Sequence, residues 1–364
     1  MWSRRELLVG AGAIGAAPLL TACSSGPNYE EVVRMTWRHE LAPPGDRAAL
    51  VRALVRYATL APSSHNTQCW RFRLRGDDVR IEPDLARRCP VVDPDDHHVF
   101  VSLGCAAENL AQAALAHGVA AEGHFDAAGD GGYVFTLTPA AATRSPLFEA
   151  IPDRQCTRGD YDGRALSSPE LKLLELAGSG PGVRVIMLTE RQALEAVLEY
   201  VAAGNTAQMN DAAFVKELTD WIRFSRDEAV RAGDGLFAGA SGNPNAPRWV
   251  GRALMGLFFT ASSENDRYAR QVRNSAGIAV FVGAQADRAH WIEVGRCYER
   301  FALQATALGI RNAFLNQPVE VSAIRPQFAS WLGLGHQRPD LVVRFGRGPK
   351  MPSSLRRPVE SVLV

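Results

Sequence analysis

Residues 93–118, DPDDHHVFVSLGCAAENLAQAALAHG, constrain the fold more than any other stretch. An acidic, capping-type cluster opens it, and an Ala-rich run then continues to Gly118 without a breaker. A helix of this length and low charge has little to offer water, so its composition suits a buried position with other elements packed around it. The neighbouring sequence supplies those elements. WRFRLRGDDVRIEPD alternates over two short runs about Gly76-Asp77, a hairpin pattern, and AEGHFDAAGDGGYVFTLTPA reads as two further strands around a Gly/Asp turn. Upstream, GDRAALVRALVRYATL carries apolar residues at helical spacing until Ala61-Pro62 ends it.

A second pass of similar order follows. SPLFEAIPDRQCTRGDY is a short helix entering a polar, basic turn, SSPELKLLELAG a capped helix, GVRVIMLT a strand and RQALEAVLEYVAAGNTAQM a helix. Later come GIAVFVG as a buried strand, DRAHWIEVGRCYERFALQATALGI as a long helix and RPDLVVRFG as a strand. The pattern predicts an α+β protein with a boundary near residue 145, giving a first half over 26–145 and a second over 146–364. Within the second half, residues 231–266 have glycines and prolines first and the apolar run ALMGLFF after them. That segment reads either as an inserted lid or as a peripheral helix with its loop.

The chain has 364 residues, 46% of them hydrophobic, enough for the large core this arrangement needs. Forty basic residues against 39 acidic ones give no net field to attract nucleic acid, and no such partner is expected. Residues 1–25 stand apart. Ser3-Arg4-Arg5 with Leu7 and Leu8 resembles a twin-arginine export signal, and Leu20-Thr21-Ala22-Cys23 resembles a bacterial lipobox. The apolar run from Leu7 to Ala22 is short for a membrane span and contains Pro18. The resemblance implies export and a lipid anchor at Cys23, with the protein membrane-anchored and facing the periplasm or cell exterior. Cys69, Cys89, Cys105, Cys156 and Cys297 then remain, an odd number without CxxC spacing, so neither a disulfide framework nor a zinc site is expected. His97-His98 beside Asp93, Asp95 and Asp96 reads as a helix cap, since adjacent helical residues point apart, and no metal site is expected there.

APSSHNTQCW, residues 61–70, is by itself a polar, helix-ending turn. It also resembles the Pro-Ser-Ser-x-Asn-x-Gln-Pro-Trp loop of nitroreductase-type flavoproteins, with Pro62, Ser63, Ser64, Asn66, Gln68 and Trp70 in place and Cys69 where that family has proline. Three more segments resemble parts of the same family site. Arg154-Gln155-Cys156-Thr157-Arg158 is similar to its Arg-x-Ser-x-Arg/Lys phosphate motif, with Cys156 in the serine position. Gln317-Pro318-Val319-Glu320 is similar to the segment at the edge of the flavin ring, with Val321 where the family has glycine, and Arg356-Arg357-Pro358 is similar to its C-terminal basic pair.

The resemblance implies flavin mononucleotide (FMN) as cofactor, held by Pro62, Ser63, Ser64, Asn66, Arg154, Cys156, Arg158, Pro318, Val319, Glu320, Arg356 and Arg357. Planar guanidinium groups suit a phosphate dianion, and short polar side chains suit a ribityl chain. The loop appears once, in the first half, and the phosphate motif once, in the second. This implies a nitroreductase-like fold in which two halves are fused as a pseudo-dimer with one complete site, as in the Acg-like branch of the family. The implied activity is FMN-dependent reduction of a small electron-poor acceptor, such as a quinone or nitroaromatic compound, by an unidentified donor. Storage or sequestration of FMN with little reductase activity is the alternative. No side chain is singled out as catalytic, because the flavin itself carries the electrons.

Overall fold

The computed structural model describes residues 27–40 and 45–364; the segment that resembles an export signal and lipobox, with Cys23, lies outside the described residues. Strands β1 (Trp70–Arg75) and β2 (Asp78–Pro83) form the expected hairpin. With β3 (Val119–Asp126) and β4 (Gly132–Pro139) they build an antiparallel sheet of order β1-β2-β4-β3. Strand β5 (Val183–Leu188) begins a second sheet, and β6 (Ile222–Arg223) with β7 (Leu236–Phe237) makes a short parallel pair outside it. The second sheet is completed by β8 (Gly277–Gly283), β9 (Arg311–Phe314) and β10 (Pro339–Gly346), in the order β5-β8-β10-β9. Every residue of β8 and β10 is buried, which explains why GIAVFVG is continuously apolar where β2 alternates.

The two halves follow one plan. Helix Arg47–Thr59, β1, β2, helix His97–Ala116, β3 and β4 are matched by helix Ser168–Gly178, β5, β8, helix Arg288–Ala307, β9 and β10. The 20-residue helices His97–Ala116 and Arg288–Ala307 pack against each other, and one apolar core draws side chains from both. Their crossing is set by glycine. A Cβ on Gly104 would sit 2.0 Å from the carbonyl oxygen of Ile292, and one on Gly295 would sit 2.0 Å from that of Val101. Gly104, Glu108 and Gly118 recur as Gly295, Glu299 and Gly309, each 191 positions later.

The halves differ between their first two strands. In the first, β1 and β2 are joined by the tight turn Gly76-Asp77; in the second, the connection from Leu188 to Gly277 carries helices Arg191–Met209, Ala212–Trp221, Arg226–Ala232, Arg248–Phe258 and Ala261–Arg273. The segment 231–266 is therefore part of a larger helical insertion. All five cysteines among the described residues are unpaired.

Candidate functional site

The stop of helix Arg47–Thr59 and the strained turn after it build one side of the site. His65, Asn66 and Gln68 have φ of 46°, 53° and 53°, a left-handed conformation that costs energy for residues other than glycine. The strain is held by side-chain bonds. Asn66 Nδ2 donates to the carbonyls of Gly235 (2.9 Å) and Leu355 (3.1 Å), and its Oδ1 accepts from Arg356 Nη1 at 2.9 Å. Gln68 Nε2 donates to Gly233 O at 2.9 Å, and its Oε1 accepts from the Arg357 amide at 2.8 Å. Asn66 and Gln68 thus pin the loop to the helical insertion and to the C-terminal segment, leaving Pro62, Ser63, Ser64 and His65 to face open space.

That space is a cavity of about 510 Å³, within the range of small-molecule sites. Pro62–His65 and helix His97–Ala116 form part of its wall, and Asn316, Gln317 and Glu320 another. The insertion supplies most of the rest, from Asn205 and Gln208 through Phe214 and Leu236–Ala238 to Met255 and Phe258, and Arg158, β9 and β10 complete it. A second cavity of about 80 Å³ shares Pro62, Ser63, Arg158 and Leu236 with the first, so the two adjoin. Asn66, Arg154, Cys156 and Arg356 also line the smaller one.

The three arginines of this junction have different surroundings. Arg154 is buried with its Nε 3.1 Å from Glu299 Oε1, and its Nη2 donates to Leu60 O at 2.9 Å. Arg356 has no carboxylate partner among the described residues. It donates to the carbonyls of Thr59 (2.7 Å), Leu60 (3.0 Å) and Ala61 (3.0 Å), and its guanidinium lies 4.7 Å from the Trp37 ring centre. Burial, and then the neighbouring Arg154 charge, push its pKa down to about 9. Arg158 lines both cavities and makes no hydrogen bond or ion pair through its guanidinium among the described residues. Glu299 faces Arg154, and Asp153 on the small cavity's wall is paired with Lys350, so Arg158 and Arg356 are left without a carboxylate of their own among the described residues, a setting suited to a phosphate-bearing ligand.

The other sequence-predicted residues are less directly placed. Cys156 lines the small cavity with its Sγ 3.8 Å from both Arg154 Nη1 and Tyr298 Oη. Pro318 and Val319 are buried beneath the turn and line neither cavity; the same turn presents Gln317 and Glu320. Gln317 Oε1 is buried without a hydrogen-bond partner among the described residues. Arg357 lines neither cavity, because its guanidinium is taken up by Gln68 O at 3.5 Å and Ser361 O at 3.0 Å.

A titratable cluster extends behind the large cavity. Glu320 Oε2 accepts from Gln208 Nε2 at 2.7 Å, and its Oε1 lies 3.5 Å from His98 Nε2. Burial raises the Glu320 pKa and lowers that of His98. Asp93 caps the helix by accepting from the His98 and Val99 amides at 2.9 and 3.3 Å. Adjacent His97 and His98 nonetheless lie side by side, ring centres 4.7 Å apart, and possible ligand atoms of Asp93, His97 and His98 lie within 4.8 Å of one another. The sequence expectation that these histidines would diverge is corrected here. Each ring meets a carboxylate from a different element, His97 Nε2 bonding Asp340 Oδ1 at 3.0 Å and His98 facing Glu320. Asn205 and Gln208 were not singled out from the sequence, although polar residues three apart on the largely apolar last two turns of their helix, Val201 to Met209, were a usable signal.

No protein-family model matches the chain. Over 330 residues it is 26% identical to proteins from two strains of Mycobacterium tuberculosis, CDC 1551 / Oshkosh and ATCC 25618 / H37Rv, both carrying the provisional name NAD(P)H nitroreductase; the match covers 87% of this chain and 91% of each relative. Among solved structures, a nitroreductase with bound FMN from Desulfitobacterium hafniense aligns with a TM-score of 0.37 and 15% identity, covering 58% of this chain and 94% of that one. The FMN-dependent nitroreductase NfnB from Mycobacterium smegmatis, in complex with NADPH, aligns with a TM-score of 0.38 and 13% identity, covering 60% and 91%.

Proposed function

We propose that the chain is a nitroreductase-like FMN flavoprotein that reduces a small electron-poor acceptor. The observation that carries this reading is the meeting of Arg154, Arg158 and Arg356 with the Pro62–Asn66 loop where the two cavities adjoin. The similarity to the mycobacterial relatives along most of both chains supports it. Arg158 and Arg356, backed by Arg154, would hold the phosphate; Ser63 and Ser64 would meet the ribityl chain; Gln317, with its unpartnered Oε1, would face the ring. Bound there, the flavin would take up a donor's electrons and pass them to the acceptor. Glu320 and His98 stand on the cavity wall as a proton-bearing pair for an acceptor, such as a quinone, that needs protons with its electrons.

On this reading the halves 26–145 and 146–364 are two nitroreductase-like units fused as a pseudo-dimer. Their repeated element order, matching sheet orders and the recurrence of Gly104 and Glu108 as Gly295 and Glu299 support it. The insertion acts as a wall with a mouth. Phe258 lines the large cavity while 68% exposed, so substrate has a route in, which favours turnover over sequestration. The twin-arginine and lipobox resemblance supports a location outside the cytoplasm on a lipid anchor at Cys23, where a quinol or partner protein would serve as donor. Anaerobic reduction of the purified flavoprotein with NADPH and with a quinol analogue tests this. Bleaching of the flavin by either donor and reoxidation by a quinone are expected, whereas bound flavin that no donor reduces would leave only sequestration.

A further inference from the structure

A surface helix on a soluble protein turns its apolar stripe inward and its polar stripe to water. Helix Arg248–Phe258, RWVGRALMGLF, departs from that rule. Gly251, Met255 and Phe258 face the large cavity, with Gly251 packed close to Phe224. Trp249, Ala253, Gly256 and Leu257, spaced along the opposite face, are exposed, while the partly exposed Leu254 also lines the cavity. Trp249 is 76% exposed and Leu257 71%, and no described residue covers them. The helix is apolar on both sides, and Arg248 and Arg252 are its only charged residues.

We propose that this outer face is a membrane-docking surface, which seats the mouth of the large cavity at Phe258 against lipid. Exposed Trp, Leu and Phe on a short helix are the chemistry of an interfacial helix, and its two arginines, Arg248 and Arg252, are held by Glu228 and Asp220 away from the apolar tip. A second copy of the chain fits less well. A stable dimer buries about 800 Å² per partner, more than a few side chains on a helix of about 16 Å can present. Nor do the described residues offer a span: helix His97–Ala116 is apolar and long enough, but it is the core helix.

The position of the chain's start agrees. Tyr29 packs on Phe237 with ring centres 5.0 Å apart, and Glu30 pairs with Arg226 at 2.8 Å. The Arg226 amide in turn donates to Asn245 Oδ1 at 2.8 Å, just before the helix, and Arg248 pairs with Glu228 on the same element as Arg226. Cys23 is six residues from Tyr29, a reach of at most about 22 Å. This part of the argument rests on the anchor reading above; the exposed face does not. Docking would let an apolar, bilayer-dissolved acceptor reach the cavity without crossing water.

The test uses the full chain carrying Cys23→Ala, so that no lipid anchor contributes, with vesicles of brominated phosphatidylcholine. Tryptophan emission should be quenched, and the quenched component should vanish in a further Trp249→Phe variant. Leu257→Ser with Phe258→Ser should weaken vesicle partition at least tenfold at unchanged circular dichroism. Trp249 emission indifferent to the vesicles would overturn the proposal, as would a vesicle-free dimer that Trp249→Ser dissociates. Flavin absorbance read on the same samples keeps the outcomes separate, since a colourless protein that still docks refutes the flavin reading alone.

Discussion

Arg154 and Arg356 donate to the same acceptor, the carbonyl oxygen of Leu60, at 2.9 and 3.0 Å, yet only Arg154 has a carboxylate beside it. Two guanidinium groups brought together in the interior repel, and the structure offsets this with Glu299 and backbone oxygens; Arg158 stands at the cavity junction with no such partner. The arginines proposed to hold the phosphate therefore divide into a scaffold residue, Arg154, and a candidate ligand residue, Arg158.

Replacing them one at a time separates those roles. Arg154→Ala leaves the Glu299 carboxylate buried without its cation and should cost about 3–5 kcal/mol of stability in urea denaturation. Arg158→Ala should leave the urea midpoint unchanged and weaken FMN binding roughly 10- to 100-fold, the loss of charged hydrogen bonds of about 1.5–3 kcal/mol. Equal stability losses in the two variants would refute the division.

Acidity should act through His65. Burial, followed by the charges of Arg158 and His98, holds its imidazole down at about 4. Against an unfolded value of about 6.5, its contribution to stability is complete above that pH and is lost as pH falls through 4, by at most about 3 kcal/mol. Asp93, pushed up to about 7 by burial, acts in the opposite sense, its contribution falling as pH rises through 7. The clean comparison is thus with His65→Gln, whose stability should fall less than that of the native chain between pH 6.5 and 4. Parallel profiles would show that His65 titrates normally.

The helix crossing should tolerate no side chain. Gly104→Ala and Gly295→Ala each drive a Cβ into a backbone carbonyl that has no rotamer to escape by, so each should cost about 3 kcal/mol or more. Because one separation of the helices relieves both clashes, the double variant should lose less than the sum. Denaturation midpoints of the three variants decide the matter.

Glu320→Gln keeps the shape of the turn and removes the acid. FMN binding and donor reduction should be unchanged, while reduction of a quinone should slow by about 10²-fold or more, within the usual range for general acid catalysis. An unaltered quinone rate in stopped-flow reoxidation would remove Glu320 and His98 from the proton path.

Periodicity made much of this fold legible. The helix around Gly104 and the hairpin at Gly76-Asp77 follow from local pattern, and β8 from its unbroken apolar run. The polar helix Ala261–Arg273 escaped it for want of apolar spacing, while helix Arg248–Phe258 was legible only as one of two readings of 231–266, its apolar run ALMGLFF fitting a lid as well as a peripheral helix. At the site, residue type showed which side chains were polar but not what they would bond. Asn66 and Gln68 turn out to be pins because the bonds that claim them come from segments about 165 to 290 residues away, and Arg357 is spent partly on Gln68 at the same long range and partly on Ser361 four residues on. His98 was visible only as part of a cap; its pairing with Glu320 depends on a turn more than 200 positions on.

The most direct measurement is a titration of the flavin-free full-length protein with FMN and with riboflavin, which lacks the phosphate, followed by flavin fluorescence. The account predicts FMN binding at least 100-fold tighter than riboflavin, with Arg158→Ala removing most of that preference. Equal affinity for the two flavins, or binding of neither, would contradict it.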